Sequence, residues 1–175
     1  MSKNIIFITA IDIPSMKQTR KDYDVSAYNY GIRSFKNWAK NNNSEVVILD
    51  ELIHDHEEMK VNFQRYYVFD LLEQNNIDYD QILITDADCI IHPECPNFFE
   101  LSEHKYAVTR TIGSVDWMLR SYENYSKYLF DNQKFPYYNY FNAGFQVINK
   151  KHKDIYQNML GLYMNNKDRI KELMK

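Results

Sequence analysis

The order of apolar runs along this chain predicts an α/β fold with a mostly parallel central sheet flanked by helices. Short, branched runs at 5–10, 45–50 and 81–85 are closely bounded by polar residues, as buried strands are. Segments with helical spacing lie between them, at 26–40 and 61–74. A strand–helix–strand order of this kind implies a right-handed crossover and parallel neighbours. The third run ends abruptly in Asp86-Ala87-Asp88, so two carboxylates emerge where a strand leaves the sheet.

Composition bounds the rest. The 175 residues suit one domain, 1–175, with a real core. Four glycines and four prolines argue against collagenous, linker-like or disordered chains, while tyrosine is unusually common at 15 copies. A net charge of −3 gives no electrostatic footprint for nucleic acid. Cys89 and Cys95 are too few for a disulfide framework, and Cys89 reads as a small core residue. The N-terminus passes straight into a strand with no signal-peptide pattern, and no apolar run reaches the roughly 18 residues of a membrane span. These features predict a cytoplasmic protein.

Each element follows from its local pattern. The first strand, 5–10, ends at Ile11-Asp12-Ile13-Pro14-Ser15, a loop because Pro14 pushes its predecessor out of helical geometry. The charged stretch 17–24 reads as an exposed connection or a mobile loop over a site. Ser26 is the expected N-cap of a helix through Lys40, with Tyr28, Ile32, Phe35 and Ala39 inward and Gly31 and Trp38 on a neighbouring stripe. The tract from His54 to Glu58 reads as a solvated loop, with a metal site as its alternative. In the helix over 61–74, Phe63, Tyr67, Val68, Leu71 and Leu72 face inward. Arg65 falls off that stripe, free to pair with an anion or to sit in solvent. A strand at 106–110 and an amphipathic stretch at 113–130, helical in its second half, come next. An aromatic-rich loop then ends in Asn142-Ala143-Gly144, followed by a strand at 145–149. A last helix begins near Asp154, with Ile155, Met159, Leu162 and Tyr163 inward.

Two stretches carry chemistry. Asp86 and Asp88 are one residue apart, so in an extended strand they would share one face. Like charges that close repel unless a cation neutralises them or one keeps its proton. Hard divalent ions prefer such oxygens, commonly one or two carboxylates plus substrate phosphates. The bland alternative is a solvated turn. Small residues at 143 and 144 let backbone or ligand approach closely, and the Asn142 amide can both donate to and accept from sugar hydroxyls. The bland alternative there is a Gly-containing bend under tyrosines. No Gly-rich phosphate loop follows the first strand, which argues against a dinucleotide site or a P-loop. No Gly-x-Ser-x-Gly or His-Glu-x-x-His is present.

Together these stretches resemble GT-A-fold glycosyltransferases, especially the glycogenin and bacterial galactosyltransferase-like group (family 8-type). The text that carries the resemblance is Phe63-Gln64-Arg65-Tyr66-Tyr67, Tyr79 through Asp88, Asn97-Phe98-Phe99-Glu100-Leu101 and Tyr140-Phe141-Asn142-Ala143-Gly144. It implies a Rossmann-like nucleotide-diphospho-sugar transferase fold and a UDP-sugar donor. It implies that Asp86 and Asp88 hold Mn²⁺ or Mg²⁺ against the diphosphate, with Asp86 and Ala87 also near the nucleotide. Ala10, Ile11 and Asp12 would border the base, Arg65 the phosphates or sugar, and Asn142 and Ala143 the donor sugar. The acceptor, whether glycan, lipid or protein, and the stereochemistry stay open. The family's later Asp-Gln motif and its His- and Gly-containing stretch have no counterpart, so the chain is expected to be a C-terminally shortened fragment, a minimal enzyme or a domain that needs a partner. His92 and His104 could supply a nitrogen ligand, but neither matches the family position. The alternatives are a catalytically silent GT-A-like domain that binds nucleotide or glycan, and a nucleotidyltransferase.

Overall fold

The computed structural model describes residues 2–13, 24–110 and 113–173. Its strands are β1 (Lys3–Thr9), β2 (Ser44–Leu49), β3 (Tyr79–Asp86), β4 (Ala107–Arg110) and β5 (Phe141–Asn149). They form one sheet in the order β2-β1-β3-β5-β4. β1 pairs parallel with β2 and β3, whereas β5 runs antiparallel to both β3 and β4. The sheet is therefore mixed rather than mostly parallel in its pairings. This difference matters, because it brings the start of β5 to the same edge as the end of β3.

Alternation along the strands sorts their side chains onto two faces. Ile5, Phe7, Ile82, Ile84 and Ile148 pack in one apolar layer, and Ile6, Ile8, Leu83 and Val147 in the other. The helices are α1 (Tyr28–Lys40), α2 (Val61–Gln64), α3 (Val68–Gln74), α4 (Phe98–Leu101), α5 (Val115–Leu129) and α6 (Lys153–Leu173). Val68, Phe69 and Leu72 of α3 and Tyr156 of α6 cover the first layer, while Phe35 and Trp38 of α1 and Phe98 and Phe99 of α4 cover the second. Trp38 stacks on Phe98 with ring centroids 4.4 Å apart and donates to the Cys95 carbonyl. No described helix is long and apolar enough to cross a membrane.

Several boundaries differ from the sequence reading. The helix predicted from Ser26 starts at Tyr28 without a side-chain cap, because Ser26 turns back to bond Asp24. The helix over 61–74 is interrupted by a 3-10 turn at Arg65–Tyr67, which buries Arg65. The stretch at 113–130 is helical from Val115, capped by Ser114, whose hydroxyl accepts from the Trp117 N–H. Asn142, Ala143 and Gly144 belong to β5, because β4 gives the strand pairing partners from Phe141 onward. The inward row of α6 is Tyr156, Leu160, Tyr163 and Ile170; of the expected row Tyr163 is buried and Met159 packs against the core, whereas Ile155 is exposed. Pro14 and residues 17–23 of the expected connection lie outside the described residues.

Candidate functional site

Strand direction brings the two chemical motifs together. β3 ends at Asp86, and Thr85 pairs with Phe145 of the antiparallel β5. Between β4 and β5 the register jumps: Val108 faces Gln146 while Thr109 faces Asn142. The three intervening residues form a bulge beside Asp86. Within it the Gly144 N–H donates to the Asn142 side-chain oxygen at 2.7 Å. A Cβ on residue 144 would stand 2.3 Å from Asp86 Oδ2, so any side chain there would have to displace that carboxylate. Asn142 and Ala143 are exposed at this edge.

Asp88 does not continue the strand. Ala87 and Asp88 form a turn closed by the Cys89 N–H on the Asp86 carbonyl. The two carboxylates therefore do not share a face through strand pleating; Asp88 reaches solvent from the turn, whereas Asp86 is half-buried. Gly31 in α1 seats that turn, since a Cβ there would lie 2.1 Å from the Ala87 carbonyl oxygen and 2.5 Å from that of Cys89. Ser34 Oγ, one turn further along α1, accepts from the Ile91 N–H. Burial pushes the Cys89 thiol up, which fits the structural role expected of it.

Arg65 is the buried centre of the site. Its Nη2 lies 2.5 Å from Asp86 Oδ1, with side-chain exposures of 7% and 36% for the pair. Its Nη1 donates to the Ala143 carbonyl at 3.2 Å, and Gln146 Nε2 donates to the same oxygen at 2.7 Å. The Gln146 Oε1 accepts from the hydroxyls of Tyr106 and Tyr156. A connected polar chain thus runs from α6 and the segment before β4, through the β5 bulge, to Asp86. Burial pushes the Tyr66 hydroxyl up to about 12, the Arg65 charge opposes that shift, and Tyr106, Asp86 and Tyr125 add to it. Gln146 escaped the sequence reading. Its signal was a polar residue inside the apolar run 145–148, a position that requires hydrogen-bond partners once buried.

A cleft of about 380 Å³ opens beside this edge, lined by Ala10, Tyr28, Asn29, Ile32, Ile48 and Asp50 among others. Thr9, which precedes Ala10, is the pairing partner of Asp86. The cleft therefore begins about one strand spacing, roughly 5 Å, from the acidic turn. Ile11 is buried and Asp12 exposed.

Among the described residues no group of three or more His, Cys, Asp or Glu side chains forms a metal cage. His104 stands 3.7 Å from Asp80, at the opposite end of β3 and roughly 20 Å from Asp86 along the strand. That position removes it as a ligand here. His92 Nδ1 accepts from the Glu94 N–H. His54 contacts the Tyr67 hydroxyl and His56 lies 2.9 Å from Glu57, as expected of a surface loop. Asp86 Oδ2 lies against the bulge, beside the Asn142 side-chain oxygen that accepts from the Gly144 N–H, and Asp88 is exposed in the turn. That all-oxygen set matches the ligand preference of a hard divalent cation that takes its remaining ligands from phosphate and water.

No protein-family model and no curated protein matches the chain in sequence. A solved structure does match: a glycosyltransferase involved in the glycosylation of the major capsid of PBCV-1. It superposes with a TM-score of 0.58 at 12% identity, covering 91% of this chain. The fold is like that of a glycosyltransferase. The chain spans 66% of that protein's length. A197 from STIV aligns over 87% of this chain and 67% of its own, at 19% identity and a TM-score of 0.42.

Proposed function

We propose that this chain is a GT-A-type glycosyltransferase that moves a sugar from a nucleotide-diphosphate donor, a UDP-sugar first among them, to an acceptor hydroxyl. The observation that carries this reading is the meeting of Asp86, Asp88 and the Asn142–Gly144 bulge at one sheet edge. In open α/β sheets ligands gather outside the carboxyl ends of strands. The fold likeness adds analogy of architecture, since fold alone does not assign function. In the transfer, the bond from the donor's anomeric carbon to the diphosphate oxygen breaks and its electron pair leaves with the nucleoside diphosphate. The acceptor oxygen bonds that carbon and its proton passes to solvent.

The cleft at Ala10, with Ile11 and Asp12 beside it, has the size and mixed lining of a nucleobase site. Asp86 Oδ2 and Asp88 would hold Mn²⁺ or Mg²⁺, which when bound stabilises the leaving diphosphate as a Lewis acid. Ala87 lies between these carboxylates in the turn, close to the nucleotide in this reading. Asn142 and Ala143 present an amide and a backbone edge to the donor sugar. Arg65 serves that site through Asp86, which it holds in place. A glycogenin-like subgrouping follows from the Tyr140–Gly144 text and rests on resemblance.

The test is release of UDP from UDP-glucose and UDP-galactose in Mn²⁺, with Asp88→Asn alongside. The reading predicts metal-dependent release that falls at least a hundredfold in the variant, while its melting temperature stays within the roughly 0.5 kcal/mol equivalent of an exposed substitution. Equal release by both proteins would overturn the metal assignment. A second reading, a silent binding domain, is favoured by one observation: the Arg65 charge already neutralises one oxygen of Asp86. That reading predicts nucleotide binding without release.

A further inference from the structure

We infer that the exposed aromatic face of α5, with the turn before β5, is an acceptor subsite that takes a pyranose ring against Trp117. The inference rests on the glycosyl-transfer reading and goes beyond it by locating the second substrate. Trp117 is 55% exposed and Tyr138 is 61% exposed, so core packing accounts for neither. Trp117 meets Tyr140 edge to face, with ring centroids 5.9 Å apart, which props the indole in place.

Position ties this face to the donor edge. Tyr140 lies two residues before Asn142, about 7 Å along an extended chain, and Asn142 belongs to the bulge against Asp86. The half-buried row of α5 points the same way, since Tyr125 lies close enough to both Tyr66 and Tyr140 to raise their hydroxyl pKa values. Tyr125 therefore sets the middle of α5 near Tyr66, the chain neighbour of Arg65, and near Tyr140, which precedes the bulge.

The chemistry of the face selects a sugar over an aliphatic peptide. By helical spacing Trp117 is flanked by Ser114, Arg120 and Ser121, while the exposed Val115 and Leu119 of the same helix fall on the opposite side. Asp116 and Arg120 form an ion pair beside Trp117 on the same helix, and the exposed Asn139 and Asn142 add amides. A pyranose presents an apolar C–H face to a ring and a rim of hydroxyls to such donors and acceptors.

The chain's two tryptophans make the test direct. Trp38 is buried and stacked on Phe98, so a change in emission on adding sugar reports Trp117. The full chain is titrated with methyl β-D-glucoside, methyl β-D-galactoside and methyl α-D-mannoside to about 100 mM, far above a millimolar dissociation constant. Saturation-transfer NMR on the same glycosides is run with Trp117→Ala and Tyr140→Ala. Expected are a saturable emission change with at least one glycoside and about tenfold or weaker binding in Trp117→Ala. The melting shift given by UDP with Mn²⁺ stays unchanged in that variant. No response to any glycoside, with the nucleotide shift intact, overturns the subsite and leaves the donor reading standing. Loss of the nucleotide shift in Trp117→Ala also overturns it, because Trp117 would then belong to the donor site or the fold. A sugar response without any nucleotide shift in the unmodified chain upholds sugar binding at Trp117 and refutes the transferase reading.

Discussion

Replacing Arg65 by methionine removes one partner of a pair that is buried on the arginine side and partly solvated on the aspartate side. Breaking a fully buried pair by deleting one partner costs about 3–5 kcal/mol, whereas an exposed pair is worth about 0–1 kcal/mol. The 36% exposure of Asp86 lets water reach the orphaned carboxylate, so an intermediate loss of about 2 kcal/mol is expected. The second contact adds little, because the Ala143 carbonyl keeps its bond from Gln146 Nε2. For a chain of 175 residues a loss of that size lowers the melting temperature by about 4–8 °C. Urea unfolding of Arg65→Met, Asp86→Asn and the double variant closes a cycle, and its coupling should be about 1–2 kcal/mol. A single-variant loss under about 0.5 kcal/mol, or a coupling near zero, would refute the view that this pair organises the site.

Other substitutions test the surrounding geometry. Gly144→Ala places a methyl 2.3 Å from Asp86 Oδ2. Because Arg65 pins that carboxylate, denaturant unfolding should show a loss of about 1–3 kcal/mol, and the nucleotide melting shift should shrink with it. Gly31→Ala meets backbone carbonyls at 2.1 and 2.5 Å. Backbone yields less than a side chain, so the loss should lie at the upper end of that range, about 3 kcal/mol. His152 supplies a pH test: burial, then the Lys151 charge, hold its pKa below the ordinary 6.5, and its Nδ1 accepts from the Asn149 N–H. Its stabilising contribution is full above about pH 6.5 and is lost as the pH falls toward the lower folded value. The melting-temperature gap between wild type and His152→Gln should therefore narrow from about pH 7.5 to about pH 5.5. A constant gap would place no titration there.

The strands were legible because apolar alternation is local: Ile5 to Ile8 and Ile82 to Ile84 read directly as buried. The abrupt end of the third run in Asp86-Ala87-Asp88 likewise read as a strand end, and β3 does end at Asp86. What was not legible depends on distant partners. Arg65 fell off the predicted helical stripe, but its 3-10 turn and burial follow from Asp86 and Ala143, which sequence spacing does not bring near. The early start of β5 depends on pairing with β4, and its antiparallel direction on the path of the chain through α5. On α6 the buried row is Tyr156, Leu160 and Tyr163 rather than one from Ile155, because the Gln146 amide draws the Tyr156 hydroxyl inward. Gly31 read as part of a helical stripe; its role appears only when the Ala87 and Cys89 carbonyls are seen against it.

The most direct measurement is a thermal-shift panel of UDP, GDP, CDP and ADP, each with Mn²⁺ and with EDTA. A ligand at 100 times its dissociation constant adds about 2.7 kcal/mol of stability, which raises the melting temperature here by roughly 5–10 °C. The account predicts such a shift with one nucleotide, UDP first, and its disappearance in EDTA. A shift that survives EDTA would contradict the metal site at Asp86 and Asp88, and no shift with any nucleotide would contradict the donor site itself.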